Sequence, residues 1–128
     1  MTKIIHKELS YLLNGILYYI HNQLGRFCSH KQYADAFEII LKEKRIEYKR
    51  EVEIPIEFAG NPIKGNKIDF LIKNLIPVDI KTEKYISKAD FIQMKRYLKA
   101  ANRTLGMIVN FRQKTLKPKR IVNLYGEL

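Results

Sequence analysis

Apolar residues recur every three to four positions from residue 3 to about residue 23, at Ile5, Leu9, Leu12, Leu13, Ile16, Leu17 and Ile20. This spacing predicts a long amphipathic helix, and Gly25 falls where a helix C-cap belongs. Asn14 and Gly15 interrupt its middle, while His6, Tyr18, Tyr19 and His21 read as packing or wet-rim positions. Ser29 and Gln32, three apart, form a capping box that starts a second helix. Tyr33, Ala36, Phe37, Ile40 and Leu41 give that helix its apolar face, and Lys42, Lys44 and Arg45 suit the negative end of its dipole. From residue 50 to residue 58 the period changes to two. Val52, Ile54, Ile56 and Phe58 alternate with Glu51, Glu53 and Glu57, the pattern of one half-buried strand, with Pro55 marking an edge or a bulge.

Gly60-Asn61-Pro62 and Gly65-Asn66 punctuate the return into two further apolar runs that flank Lys73-Asn74. Those runs read as a β-hairpin, because Asn tolerates the left-handed backbone of a tight turn. Pro77 weakens only the start of its second strand. Ser87 then N-caps a third helix running to about Ala101, with Ile86 placed to staple onto Phe91. Its core stripe is Phe91, Met94, Leu98 and Ala101, and Gln93 and Tyr97 share another face. Residues 105–111 are almost continuously apolar and read as a central strand buried on both faces, and residues 121–124 add a last short strand. The order is helix, helix, three strands, helix, strand, strand.

Composition narrows the class. At 128 residues the chain fits one domain, residues 1–128, with a real core. Its 24 Lys and Arg against 13 Asp and Glu give a formal charge of +11, which calls for a polyanionic partner. Nucleic acid and anionic membrane both qualify, but the long first helix carries few of the basic residues a membrane-lying helix displays. No apolar run reaches the length of a membrane span, and the N-terminus lacks the apolar block of a signal peptide. The single cysteine, Cys28, excludes an internal disulfide framework and fits a reducing cytoplasm. Lys95, Arg96, Lys99 and Arg103 on the third helix, with Arg112 and Lys114 in the basic loop after residue 111, are candidates for phosphate contacts.

Charge inside the hairpin brings in chemistry. With the turn centred on Asn74, Asp69 and Asp79 lie opposite one another. Directly opposed side chains have Cβ atoms about 4.5–5.5 Å apart, and like charges there destabilise the pair unless something positive lies between them. A divalent cation, Mg²⁺ or Mn²⁺, is the natural candidate, since such hard ions bind through one or two carboxylates and share phosphate oxygens. Strand alternation puts Lys81 on the face of Asp79, where it can orient an attacking water or stabilise charge on a phosphate. Ordinary surface ion pairs are the alternative reading of the same residues.

The order of elements, with two acids and a lysine on the second and third strands, resembles the PD-(D/E)XK nuclease superfamily, an α/β, restriction-endonuclease-like mixed sheet of about five strands flanked by helices. Within it the likeness is to the bacterial GxxExxY proteins. It is carried by the stretch ending His21-Asn22-Gln23-Leu24-Gly25, by Tyr33-Ala34-Asp35-Ala36-Phe37, Ile68-Asp69-Phe70-Leu71-Ile72 and Val78-Asp79-Ile80-Lys81, by Gln93 with Tyr97-Leu98-Lys99-Ala100, and by Leu105-Gly106-Met107-Ile108-Val109-Asn110-Phe111. The resemblance implies that Asp69, Asp79 and Lys81 are the metal-binding and catalytic set, supported by Gln93. It implies a metal-dependent nuclease acting on DNA rather than RNA, and a homodimer where two strands are cut. Asp79 stands where the family usually has Glu, and His30 stands where it has its first-helix Glu. Histidine binds Mn²⁺ or orients a water but is a poor Mg²⁺ ligand. The rival expectations are a catalytically inactive nucleic-acid-binding module and an interaction subunit of a larger nuclease or defence assembly.

Overall fold

The structure, a computed structural model, describes residues 4–128. Helix α1 (Lys7–Leu24) and helix α2 (His30–Glu43) are followed by β1 (Tyr48–Glu53), β2 (Ile56–Phe58) and β3 (Asn61–Ile63). Then come β4 (Lys67–Ile72), β5 (Ile76–Lys81), α3 (Lys88–Ala101), β6 (Leu105–Asn110) and β7 (Lys119–Val122). Five strands form one mixed sheet in the order β1-β4-β5-β6-β7. Only β5 and β6 are parallel, and α3 is the crossover that such a pair requires. The sheet is sandwiched between α1 and α2 on one face and α3 on the other. Leu13, Leu17, Tyr33 and Phe37 pack with Phe70, Val78 and Met107 in the first layer, and Met94, Tyr97 and Leu98 with Ile68 and Ile108 in the second.

The helix boundaries follow their caps. Gly25, at φ 77°, ends α1 with its N–H on His21 O. Ser29–Gln32 forms the reciprocal capping box of α2, and Ser87–Asp90 forms one at α3. Part of the expected start of α1 falls on residues 1–3, outside the described residues; from residue 4 the helix begins only at Lys7, after His6 turns left-handed at φ 50°. Leu12 is exposed instead of joining the core, and Ser10 and Ala34 are buried. Tyr97, expected on the Gln93 face, is fully buried against the sheet. The last strand starts two residues earlier than its apolar run, because Lys119 and Arg120 pair with Ile108 and Met107 of β6.

Residues 50–58 are not one strand. β1 leaves the main sheet at Glu53, where Ile54 N–H bonds to Asn66 O and Pro55 has no N–H with which to continue the ladder. Ile56–Phe58 pairs instead with Asn61–Ile63 in a separate hairpin, turned at Ala59 and Gly60 with φ 52° and 79°. Ile56 and Phe58 are therefore exposed, contrary to the alternation pattern.

Candidate active site

The β4–β5 hairpin turns at Lys73 and Asn74, with φ 51° and 55°, and Leu75 N–H bonds back to Ile72 O at 2.9 Å. Its register pairs Ile72 with Ile76, Leu71 with Pro77 and Phe70 with Val78, symmetric about Asn74. The next level is Asp69 with Asp79, and there the backbone ladder stops. In its place Ile80 N–H donates to Asp69 Oδ2 at 2.7 Å. A side chain has replaced a strand carbonyl, so the strands part. The β1–β4 ladder skips the same level, between the pairs Arg50–Phe70 and Val52–Ile68, with Glu51 at φ 57°. Both neighbours of Asp69 thus loosen together, opening a cleft of about 540 Å³ lined by His30, Glu51, Asp69, Asp79, Lys81 and Gln93 among others.

The two carboxyls titrate as a pair. Asp79 is only 6% exposed, and burial first, then the hydrogen bond and charge of Asp69, push it up to about 7 against the pull of Lys81. Burial is also the largest influence on Asp69 and pushes it upward. Hydrogen bonds from His30, Asp79 and Ile80 N–H outweigh that and hold it below the ordinary carboxylate range. Up to about pH 7 the pair therefore retains one proton between its two carboxyls.

Lys81 Nζ forms ion pairs with Asp79 Oδ2 at 3.0 Å and Asp90 Oδ1 at 3.4 Å and donates a hydrogen bond to Gln93 Oε1 at 3.4 Å. Burial works against its charge, but Asp79, Asp90 and Glu83 raise its pKa overall, so the group is a cation and not a proton acceptor. His30, the first residue of α2, places Nε2 3.0 Å from Asp69 Oδ2, and that hydrogen bond raises its pKa.

Asp69, Asp79, Lys81, Gln93 and His30 thus meet in one cleft. None of the six basic residues expected at phosphates lines it. Arg112 and Lys114 follow β6 at the end of the sheet where β5 ends in Lys81. Lys95 and Lys99 line a different groove, with Asn102 and Tyr125, while Arg96 is an exposed residue of α3. Arg103 is engaged by Asn102 O and Glu127.

Glu51, Asp90 and Asn110 were not expected at the site. Asp90 had a legible signal, since it lies three before Gln93 on the same helical face and three after the N-cap Ser87. Asn110 had none beyond being a polar end to an apolar run. It is fully buried, accepts from Glu83 N–H at 3.1 Å and donates to Glu83 O at 2.7 Å, splinting the segment just after Lys81.

A divalent cation fits this donor set. A buried acid pair that keeps a proton near pH 7 has charge to spare for an ion that displaces it, and both side chains offer hard oxygens. Among the described residues no three His, Cys, Asp or Glu side chains converge as a ligand set, so water and substrate oxygens would complete the shell.

Residues 7–121 match the family model described as the PD-(D/E)XK nuclease superfamily. The chain belongs to that superfamily. Among solved structures, the crystal structure of SSO0001 aligns with a TM-score of 0.55 at 21% identity, covering 91% of this chain. The chain spans 59% of that protein, and the likeness is one of fold. No curated protein matches it in sequence. PD-(D/E)XK proteins are generally hydrolytic nucleases that use divalent metals. Among the described residues no helix is long and apolar enough to cross a membrane.

Proposed function

We propose that this PD-(D/E)XK protein hydrolyses phosphodiester bonds of nucleic acid, DNA rather than RNA, with Mg²⁺ or Mn²⁺ held by Asp69 and Asp79. The observation that carries the reading is the position of Lys81, a half-buried cation paired with Asp79 and braced by Asp90 and Gln93 at the mouth of the parted strands. When bound, the ion supplies Lewis acidity and charge neutralisation at the scissile phosphate. Lys81 presents preorganised positive charge to the developing phosphate charge and orients the attacking water. Gln93 and Asp90 hold the ammonium in place. His30 bonds to Asp69, keeping that carboxylate ionised and oriented. Arg112 and Lys114 at the same end of the sheet suit the nucleic-acid backbone. The test is cleavage of labelled DNA and RNA with Mn²⁺, Mg²⁺ or EDTA: Asp69→Ala and Asp79→Ala each abolish cutting while the fold and binding persist, and unchanged turnover in either refutes the assignment.

A second reading, a nuclease fold that binds nucleic acid without cutting it, is favoured by one feature: His30, not a carboxylate, faces Asp69 from α2. It requires binding that weakens with salt and no metal dependence. Calorimetric binding of Mn²⁺ that disappears in Asp79→Ala counts directly against it.

A further inference from the structure

The segment between α1 and α2 carries a feature the cleft chemistry does not use. Phe27 is 77% exposed, although the backbone around it is pinned at several points. The buried Tyr33 hydroxyl donates to Gly25 O and accepts from Cys28 N–H at 3.2 Å, and the Tyr33 ring stacks on Phe111 with centroids 4.2 Å apart. Between those anchors Arg112 Nε donates to Arg26 O at 3.1 Å. Rigid backbone thus holds an aromatic ring out in water, where it buries little of its own surface. Two guanidinium groups attend it, Arg26 at 5.0 Å and Arg112 at 5.8 Å from the ring centroid. The Arg26 Nε is buried and has no hydrogen-bond partner.

An exposed ring on a pinned loop, attended by one arginine from that loop and one from the segment after β6, is the combination that binds unpaired bases, the ring stacking on the base and the guanidiniums meeting phosphate or base faces. Its place is consistent with the cleft. Phe27 precedes His30 by three residues, so their Cα atoms lie within about 11 Å by chain length alone. Arg112 follows Asn110, whose register partner is Lys81.

We propose that Phe27, Arg26 and Arg112 form a stacking subsite for an unpaired nucleotide beside the cleft, so that the preferred ligand is single-stranded nucleic acid or a duplex with an unpaired end. This rests on the nuclease reading for the class of ligand but not on catalysis.

The test is read in EDTA, where nothing is cut. Fluorescence anisotropy of labelled oligo(dT) and of a blunt duplex is compared for wild type, Phe27→Ala and Phe27→Trp, with thermal melts to show that this exposed site leaves folding intact. Phe27→Ala weakens oligo(dT) binding roughly tenfold or more and duplex binding much less, and Phe27→Trp restores it. The protein has no native tryptophan, so in Phe27→Trp the emission reports this position alone and is quenched on adding unlabelled oligo(dT). Equal loss of both ligands, loss of neither, or unchanged emission overturns the subsite. Cutting is assayed separately with Mn²⁺. Binding through Phe27 with no cleavage removes the nuclease reading and leaves the subsite, whereas active cleavage with unimpaired Phe27→Ala binding removes the subsite alone.

Discussion

Asp79→Asn disables the proposed site and stabilises the metal-free protein. The folded pKa of Asp79 is raised from 3.8 to about 7, chiefly by burial. The folded state therefore binds this proton more tightly than the unfolded chain, and the group's contribution to stability falls as pH rises from about 4 to about 7 and stays low above that. A shift of about three units at ~1.4 kcal/mol each sets a ceiling of ~4 kcal/mol. Asn carries no charge to bury, so it escapes that cost. Asn keeps a carbonyl oxygen that can accept from Lys81, and the attraction of Lys81 for the ionised carboxylate is already contained in the raised pKa, so neither subtracts further from that ceiling. The gain is therefore up to about 4 kcal/mol at pH 8 and only about 1 kcal/mol at pH 4.5, where the unfolded carboxyl is largely ionised and the folded one still protonated. Urea denaturation at both pH values, in EDTA, measures it. Saturating Mn²⁺ then reverses the order, because only the wild type gains binding free energy from the ion. A variant no more stable than wild type at pH 8, or a gap that does not widen with pH, refutes the reasoning about the acid pair.

Displacement of the proton on the acid pair predicts that Mn²⁺ binding releases close to one proton at pH 6 and about half of one at pH 7, and calorimetry in two buffers of different ionisation enthalpy counts it. The bracing of Lys81 predicts that Asp90→Asn slows turnover roughly 10–100-fold while substrate KM changes little, with part of the loss recovered in Asp90→Glu. A Cβ at Gly106 would lie 2.5 Å from the buried Met94 Sδ, so Gly106→Ala costs about 1–3 kcal/mol in denaturant melts through crowding between β6 and α3.

The site's skeleton was legible because it is local. Asn74 sits midway between Asp69 and Asp79, so a turn centred there fixes their register without knowledge of the rest of the sheet. Ser29, Ser87 and Gly25 likewise mark helix ends through bonds to their own neighbours. The break after β1 was hidden because a period of two is the same in a core strand and in an exposed hairpin. Pro55 and the Ala59-Gly60 turn decide between them, and the second is visible only when Phe58 is paired with Asn61. Asp90 is hard to single out because a carboxylate three residues after Ser87 reads first as helix-start chemistry, although one facing the sheet also reaches Lys81. The separation of Lys95 and Lys99 from the cleft depends on how α3 crosses the sheet, a tertiary quantity with no periodic signature.

The central claim is that the parted strands hold a working phosphodiesterase, and cleavage of labelled single-stranded, duplex and branched DNA by wild type beside Lys81→Ala tests it most directly. Cutting in Mn²⁺ or Mg²⁺ that is absent in EDTA and lost in Lys81→Ala is the predicted result. Cutting that Lys81→Ala leaves unchanged, or no cutting of any DNA or RNA while salt-sensitive binding persists, contradicts it.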